Sequence, residues 1–198
     1  MSPLNSLIIF VISILSFLAP VMGNSLQFLS QDNTERTIFF TPNSGSAGVP
    51  SFFVPGISVD GMAVVQFPQG WSGSFKAVLS GENPDSPKIT GEITFQGWQG
   101  ETYYAVSAVQ NCCDNSGIRA LAPKVHGLTS GCIISPFPCT ESYSRLGDIQ
   151  VKSSADCDFQ LIGGNPSMEG FSGDSKYKKI LNFWYHDNMN LAGTGIHR

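Results

Sequence analysis

Glu92-Ile93-Thr94-Phe95-Gln96, Gly97-Trp98-Gln99-Gly100 and Thr102-Tyr103-Tyr104-Ala105-Val106-Ser107 follow one another almost without a break, and they read as strand, turn and strand. A pleated strand sends successive side chains to opposite faces, so Ile93 and Phe95 share one face while Glu92, Thr94 and Gln96 share the other. Two glycines bracket the turn and give the backbone access to positive φ where the chain reverses.

The same punctuation runs upstream. Thr37 to Thr41 stops at Pro42 and the loop Asn43 to Gly48, and Met62 to Phe67 closes on the turn Pro68-Gln69-Gly70. Ser74 to Leu79 alternates, with Phe75, Ala77 and Leu79 on one face and Ser74, Lys76 and Val78 on the other. Short apolar runs broken by Gly, Pro, Asn and Asp predict an antiparallel β-sandwich, and no long amphipathic helix is visible. From Asn111 to Cys157 the pattern dissolves into Pro, Gly, Ser and cysteines, which predicts a loop-rich segment stapled by disulfides. Ile180 to Tyr185 reads as a last strand.

At the N-terminus, Leu4 to Leu18 is uncharged and apolar apart from Asn5, Ser6, Ser13 and Ser16, and it is followed by Pro20-Val21-Met22-Gly23. That run is shorter than the roughly 20 residues a bilayer span needs, and small residues stand where signal peptidase reads. Residues 1–23 are therefore expected to be a signal peptide, with a retained anchor as the alternative. The remaining residues 24–198 fit one domain in a secreted, extracellular chain. With 41% hydrophobic and only 13% charged residues over all 198 positions, the sequence is too apolar to stay disordered. A net charge of −4 argues against a phosphate-backbone binder, and Lys176, Lys178 and Lys179 read as a solvated face.

All five cysteines follow the leader, where an oxidising compartment lets them pair. Cys132 and Cys139 flank a proline-bearing loop and are expected to bond. Adjacent Cys112 and Cys113 rarely bridge each other. Cys157 is therefore expected to pair with one of them, leaving the other as an odd thiol open to a disulfide-linked dimer. Other pairings stay open. Zinc is disfavoured by the absence of Cys-x-x-Cys spacing and of a histidine pair, and no cofactor is implied.

Phe67-Pro68-Gln69-Gly70-Trp71-Ser72-Gly73-Ser74-Phe75, Gly91-Glu92-Ile93-Thr94-Phe95 and Tyr103-Tyr104-Ala105-Val106-Ser107 resemble, in order and spacing, motifs of the thaumatin-like proteins. The likeness spans roughly residues 25 to 125 and is greatest to the small, cysteine-poor secreted fungal members. It implies a β-sandwich and a β-glucan-gripping cleft of one arginine, one glutamate and three aspartates. Glu92 keeps the glutamate, whereas Ala105 and Gln110 stand at two aspartate positions, Val78 stands at the arginine's, and the third aspartate has no counterpart. A lone carboxylate cannot run two-carboxylate glycoside hydrolysis, so the resemblance implies binding without catalysis.

Glu92, Trp98 and Tyr103 are the expected ligand-binding residues, because a tryptophan in a glycine-flanked turn is hard to bury and offers a flat platform to a sugar ring. Trp71, Tyr104 and Trp184 are expected in packing. The expected partners are a cell-wall polysaccharide or an extracellular protein, with no nucleic acid and no membrane once the leader is cleaved. The alternative is a weak secreted hydrolase, either a β-1,3-glucanase centred on Glu92 or a nuclease-like activity using His186 and Asp187. No phosphate loop, nucleophile elbow or His-Glu-x-x-His motif is present.

Overall fold

The computed structural model describes residues 23–57, 63–148 and 150–164. The strands are β1 (Asn24–Ser30), β2 (Arg36–Pro42), β3 (Phe52–Ile57), β4 (Ala63–Phe67), β5 (Ser72–Leu79), β6 (Thr90–Thr94), β7 (Thr102–Ser107), β8 (Ile118–Pro123), β9 (Ser130–Gly131), β10 (Lys152–Ser154) and β11 (Asp158–Gly163). Among the described residues the one helical piece is a 3-10 turn, Trp98–Gly100. None of the described helix is long and apolar enough to cross a membrane. The leader expected over residues 1–23, Gly23 excepted, and the strand expected over 180–185 lie outside the described residues, as do Trp184, His186 and Asp187.

The strands form two sheets, β4-β1-β11-β8-β9 and β10-β7-β6-β5-β2-β3. One pair departs from the expected antiparallel arrangement. β1 runs parallel to β11, Ser25 opposite Asp158 through Ser30 opposite Gly163, so the five-stranded sheet is mixed. Parallel neighbours need a long crossover, and here the whole second sheet supplies it.

The sheets meet through aromatic side chains. Phe40 of β2 stacks on Phe52 at 4.5 Å and meets Phe28 of the opposite sheet edge-on at 5.9 Å. Phe67 lies 4.4 Å from Trp71 and 5.4 Å from Phe95, and Phe159 of β11 takes Tyr104 edge-on at 4.9 Å. Such contacts each contribute about 0.5–1.5 kcal/mol beyond the area they bury. Two glycines make room for them. A Cβ on Gly73 would lie 2.6 Å from the Trp71 ring, and one on Gly91 would lie 2.2 Å from the Phe75 ring. Trp71 and Tyr104 are thus core residues, as expected.

Three expectations fail for local reasons. Val78 is only 3% exposed although it points away from Phe75 and Ala77, so β5 loses its solvent face near its end. The stretch read as loop from Asn111 onward contains β8, buried along nearly all its length, together with β9 and β10. Ile118-Arg119-Ala120-Leu121-Ala122 is covered on both faces, and a strand covered on both faces shows no alternation to read. Cys157, finally, is a free thiol that accepts a hydrogen bond from Gln96 Nε2 at 3.3 Å, so the expected link to Cys112 or Cys113 is not formed. Gln96 lies beyond one end of the β6–β7 hairpin and Cys112-Cys113 beyond the other. β7 is six residues long, or about 20 Å, whereas bonded cysteines need Cα atoms within about 7 Å.

Cys132 and Cys139 are bonded to each other. Their loop is held to β8 by Arg119, a side chain 1% exposed. Its Nε donates to the Cys132 carbonyl at 3.0 Å and its Nη2 to the Ser135 carbonyl at 2.6 Å, Nη1 donates to Asn115 Oδ1, and the guanidinium lies over Phe137 at 5.4 Å. Burial lowers the Arg119 pKa from its ordinary value.

Candidate functional site

The outward face of the six-stranded sheet gathers the residues singled out in the sequence. Glu92 sits on β6 with Ser74 opposite it on β5 and Ala105 opposite it on β7. One step along, Ser72, Thr94 and Tyr103 form the next cross-strand row on the same face, because alternation carries residues two apart to one side. Glu92 and Tyr103 are therefore diagonal neighbours on adjacent strands, a relation that brings Cα atoms to about 7–8 Å.

Trp98 lies just beyond this row, in the turn joining β6 to β7, and is 72% exposed. Its placement comes from the turn. Gly97 N–H donates to the Glu101 carbonyl at 2.8 Å and Gly100 N–H to the Gly97 carbonyl at 3.1 Å, which closes a tight loop with no apolar pocket for an indole. The two glycines do not act alike. Gly100 takes a φ of 78°, as a chain reversal asks, but at the other end the positive φ falls on Gln96 (48°) and, inside the turn, on Gln99 (58°). Gly97 has a φ of −74°, and it is small for another reason: a Cβ there would come within 3.1 Å of the Thr94 methyl. Tyr103 Oη donates to the Trp98 carbonyl at 3.3 Å and so ties the strand row to the turn.

A hydroxyl network continues the row toward β2. Thr94 Oγ1 and Ser72 Oγ are 2.7 Å apart, and Asn43 Nδ2 donates to Ser72 Oγ at 2.9 Å. Ser46 Oγ accepts from the Ser72 N–H at 2.8 Å. Nothing in the sequence singled these residues out, although the Ser/Thr side of the β5 and β6 alternation was legible. On the far side, Phe39 and the 60% exposed Phe53 face each other at 5.9 Å. The Glu92 carboxyl is held above its ordinary pKa by desolvation among its neighbours. The face thus offers one flat indole, one phenol, a hydroxyl row and one carboxylate, a set suited to stacking and hydrogen bonding rather than to proton transfer between paired acids.

Among the described residues no group of three or more His, Cys, Asp and Glu side chains could hold a metal ion. His126 is exposed and is engaged through its backbone, its N–H donating to Asp156 Oδ2 at 2.9 Å and its carbonyl accepting from Ser154 Oγ at 2.6 Å.

No family model matches the chain. Its fold is similar to the crystal structure of the protein elicitor MoHrip2 from Magnaporthe oryzae, with a TM-score of 0.53 over 72% of this chain and 99% of that one, at 14% identity. This match, together with the sequence relative given below, overturns the thaumatin-like resemblance. The motif letters that carried it have a packing explanation here: Trp71 and Phe75 are core rings, and Gly73 and Gly91 lie under them. In sequence the chain is similar to the antigenic protein SchS21 of Stachybotrys chartarum, 35% identical over 135 residues, which is 68% of this chain and 90% of that protein. At that identity and coverage, the chain belongs to the family of the antigenic protein SchS21.

Proposed function

We propose that this chain is a secreted, non-catalytic recognition protein of the effector kind. In this reading a two-sheet sandwich presents the Trp98–Tyr103–Glu92 end of its six-stranded sheet to a β-glucan-like wall polysaccharide. The observation that carries the reading is the 72% exposed indole of Trp98, tied through its carbonyl to Tyr103 and followed along one face by hydroxyls and a carboxylate. An indole left in water at a rigid turn costs hydration free energy that a stacked sugar ring would recover. Secretion is supported by the expected leader and by the Cys132–Cys139 disulfide, a bond that persists in oxidising compartments. It also accords with relatives described as an antigenic protein and a protein elicitor. Against a hydrolase stands the setting of Glu92, whose cross-strand neighbours are a serine and an alanine.

The test is co-sedimentation of the secreted protein with insoluble β-1,3-glucan, chitin and cellulose. Retention on the glucan, lost in Trp98→Ala, is expected. If no polysaccharide retains the protein, the polysaccharide reading is wrong. The exposed Phe53, packed on the half-buried Phe39 of the same face, then favours an extracellular protein as partner.

A further inference from the structure

Three buried cations converge on one short surface loop. Arg36 Nε donates to the Ser116 carbonyl at 2.5 Å, Lys88 Nζ lies 3.3 Å from Ser116 Oγ and 3.7 Å from Asp114 Oδ2, and Arg119 Nη1 donates to Asn115 Oδ1. Asp114, Asn115 and Ser116 are thereby fixed, and they fix what precedes them. Asn115 Nδ2 donates to the Cys113 carbonyl at 3.1 Å, and the Cys113 N–H donates to Asn111 Oδ1 at 3.3 Å. Asn111 is itself anchored through Nδ2 to the Pro87 carbonyl at 3.2 Å. The result is an immobilised dipeptide with both thiols exposed and their Sγ atoms 2.7 Å apart, closer than two sulfurs ordinarily rest without bonding.

We propose that Cys112 and Cys113 form a thiol–disulfide exchange site that small-molecule disulfides close into a vicinal disulfide and small thiols reopen. One cysteine, as thiolate, attacks a sulfur of the small disulfide, which forms a mixed disulfide and expels one small thiolate. The second cysteine, as thiolate, attacks the protein sulfur of that mixed disulfide and expels the other small thiolate. Two electrons and two protons pass from the cysteine pair to the small disulfide, which leaves as two thiols. The site is distinct in kind from Cys132–Cys139. There Cys132 is buried beneath Arg119 and its loop, whereas an exposed bridge between neighbours is constrained in geometry and easily reduced.

The experiment equilibrates the full secreted chain in glutathione buffers of graded redox ratio, quenches with acid, alkylates and maps the peptides. The peptide holding Cys112 and Cys113 is expected to switch from two alkyl groups to none, two hydrogens lighter, under conditions that leave Cys132–Cys139 intact. In Cys112→Ser the remaining Cys113 cannot close a ring and should hold glutathione as a lasting mixed disulfide. Glutathione on both cysteines of the unaltered chain, a crosslink from either to Cys157, a covalent dimer, or reduction in step with Cys132–Cys139 would each overturn the proposal.

Discussion

Two kinds of residue carry the account, those that let aromatic rings meet and those that meet solvent. Gly91 belongs to the first. Its missing Cβ is where the Phe75 ring lies, and Phe75 is itself enclosed by Phe40, so the ring cannot swing aside. Gly91→Ala should destabilise the fold by about 1–3 kcal/mol, read as a lower urea midpoint at unchanged slope. Trp98 belongs to the second, and Trp98→Ala should leave the unfolding free energy from the same urea curves within about 0.5 kcal/mol of the unaltered chain. Glu92 adds a pH dependence whose sign is fixed by its environment. Because desolvation raises its folded pKa above the unfolded value, the folded chain keeps that proton longer. Stability from this group is therefore full below the unfolded pKa and is lost as pH rises through the folded one. Glu92→Gln should remove that slope, and urea midpoints measured across the acidic range in both proteins check it. If the ionised carboxylate accepts hydrogen bonds from sugar hydroxyls, glucan binding should weaken as pH falls through the same raised value. In the Gln variant binding should be flat with pH.

Among the elements, the Cys132–Cys139 loop depends on two ties, a covalent one and Arg119. The bond closes a loop with a sequence separation of seven, and Cys139→Ser should cost about 2–3 kcal/mol. Arg119→Met would leave the Cys132 and Ser135 carbonyls without their donor, a loss on the order of 2 kcal/mol or more. It should also expose the disulfide to reductant, which thiol labelling during a reduction time course would read. These elements mark where the sequence stops being legible. β5 and β6 are legible because each has one wetter and one drier face over most of its length, and that alternation alone sets Glu92 and Thr94 on one side. β8 could not be read, since a strand covered on both faces has no alternating pattern. Arg119, in a stretch that reads as loop, looks like a solvated charge. The β6–β7 turn was legible as a turn, but the distribution of its positive φ angles was not. Gln96 and Gln99 take conformations that residue type alone would assign to glycine.

For the whole molecule, the decisive feature is the parallel pairing of β1 with β11. It joins Ser25 to Asp158 across 133 residues, a separation that no local pattern encodes. At its end a bidentate ion pair holds the β1–β2 turn, with Arg36 Nη1 donating to Asp32 Oδ1 at 2.6 Å and Nη2 to Oδ2 at 2.8 Å. Gly164, just past β11, lies against that carboxylate, and a Cβ there would come within 2.8 Å of it. This closure leaves the outer side of the six-stranded sheet as the surface that carries the exposed aromatic groups and hydroxyls together. The most direct test of that assignment is a titration of the isotope-labelled chain with soluble β-1,3-gluco-oligosaccharides, followed by amide and indole chemical shifts. Dose-dependent shifts are expected at the Trp98 indole N–H and at the amides of Ser72, Ser74, Glu92, Thr94 and Tyr103, with the five-stranded sheet silent. Shifts confined to β1, β4, β8 and β11, or none at saturating sugar, would contradict that assignment.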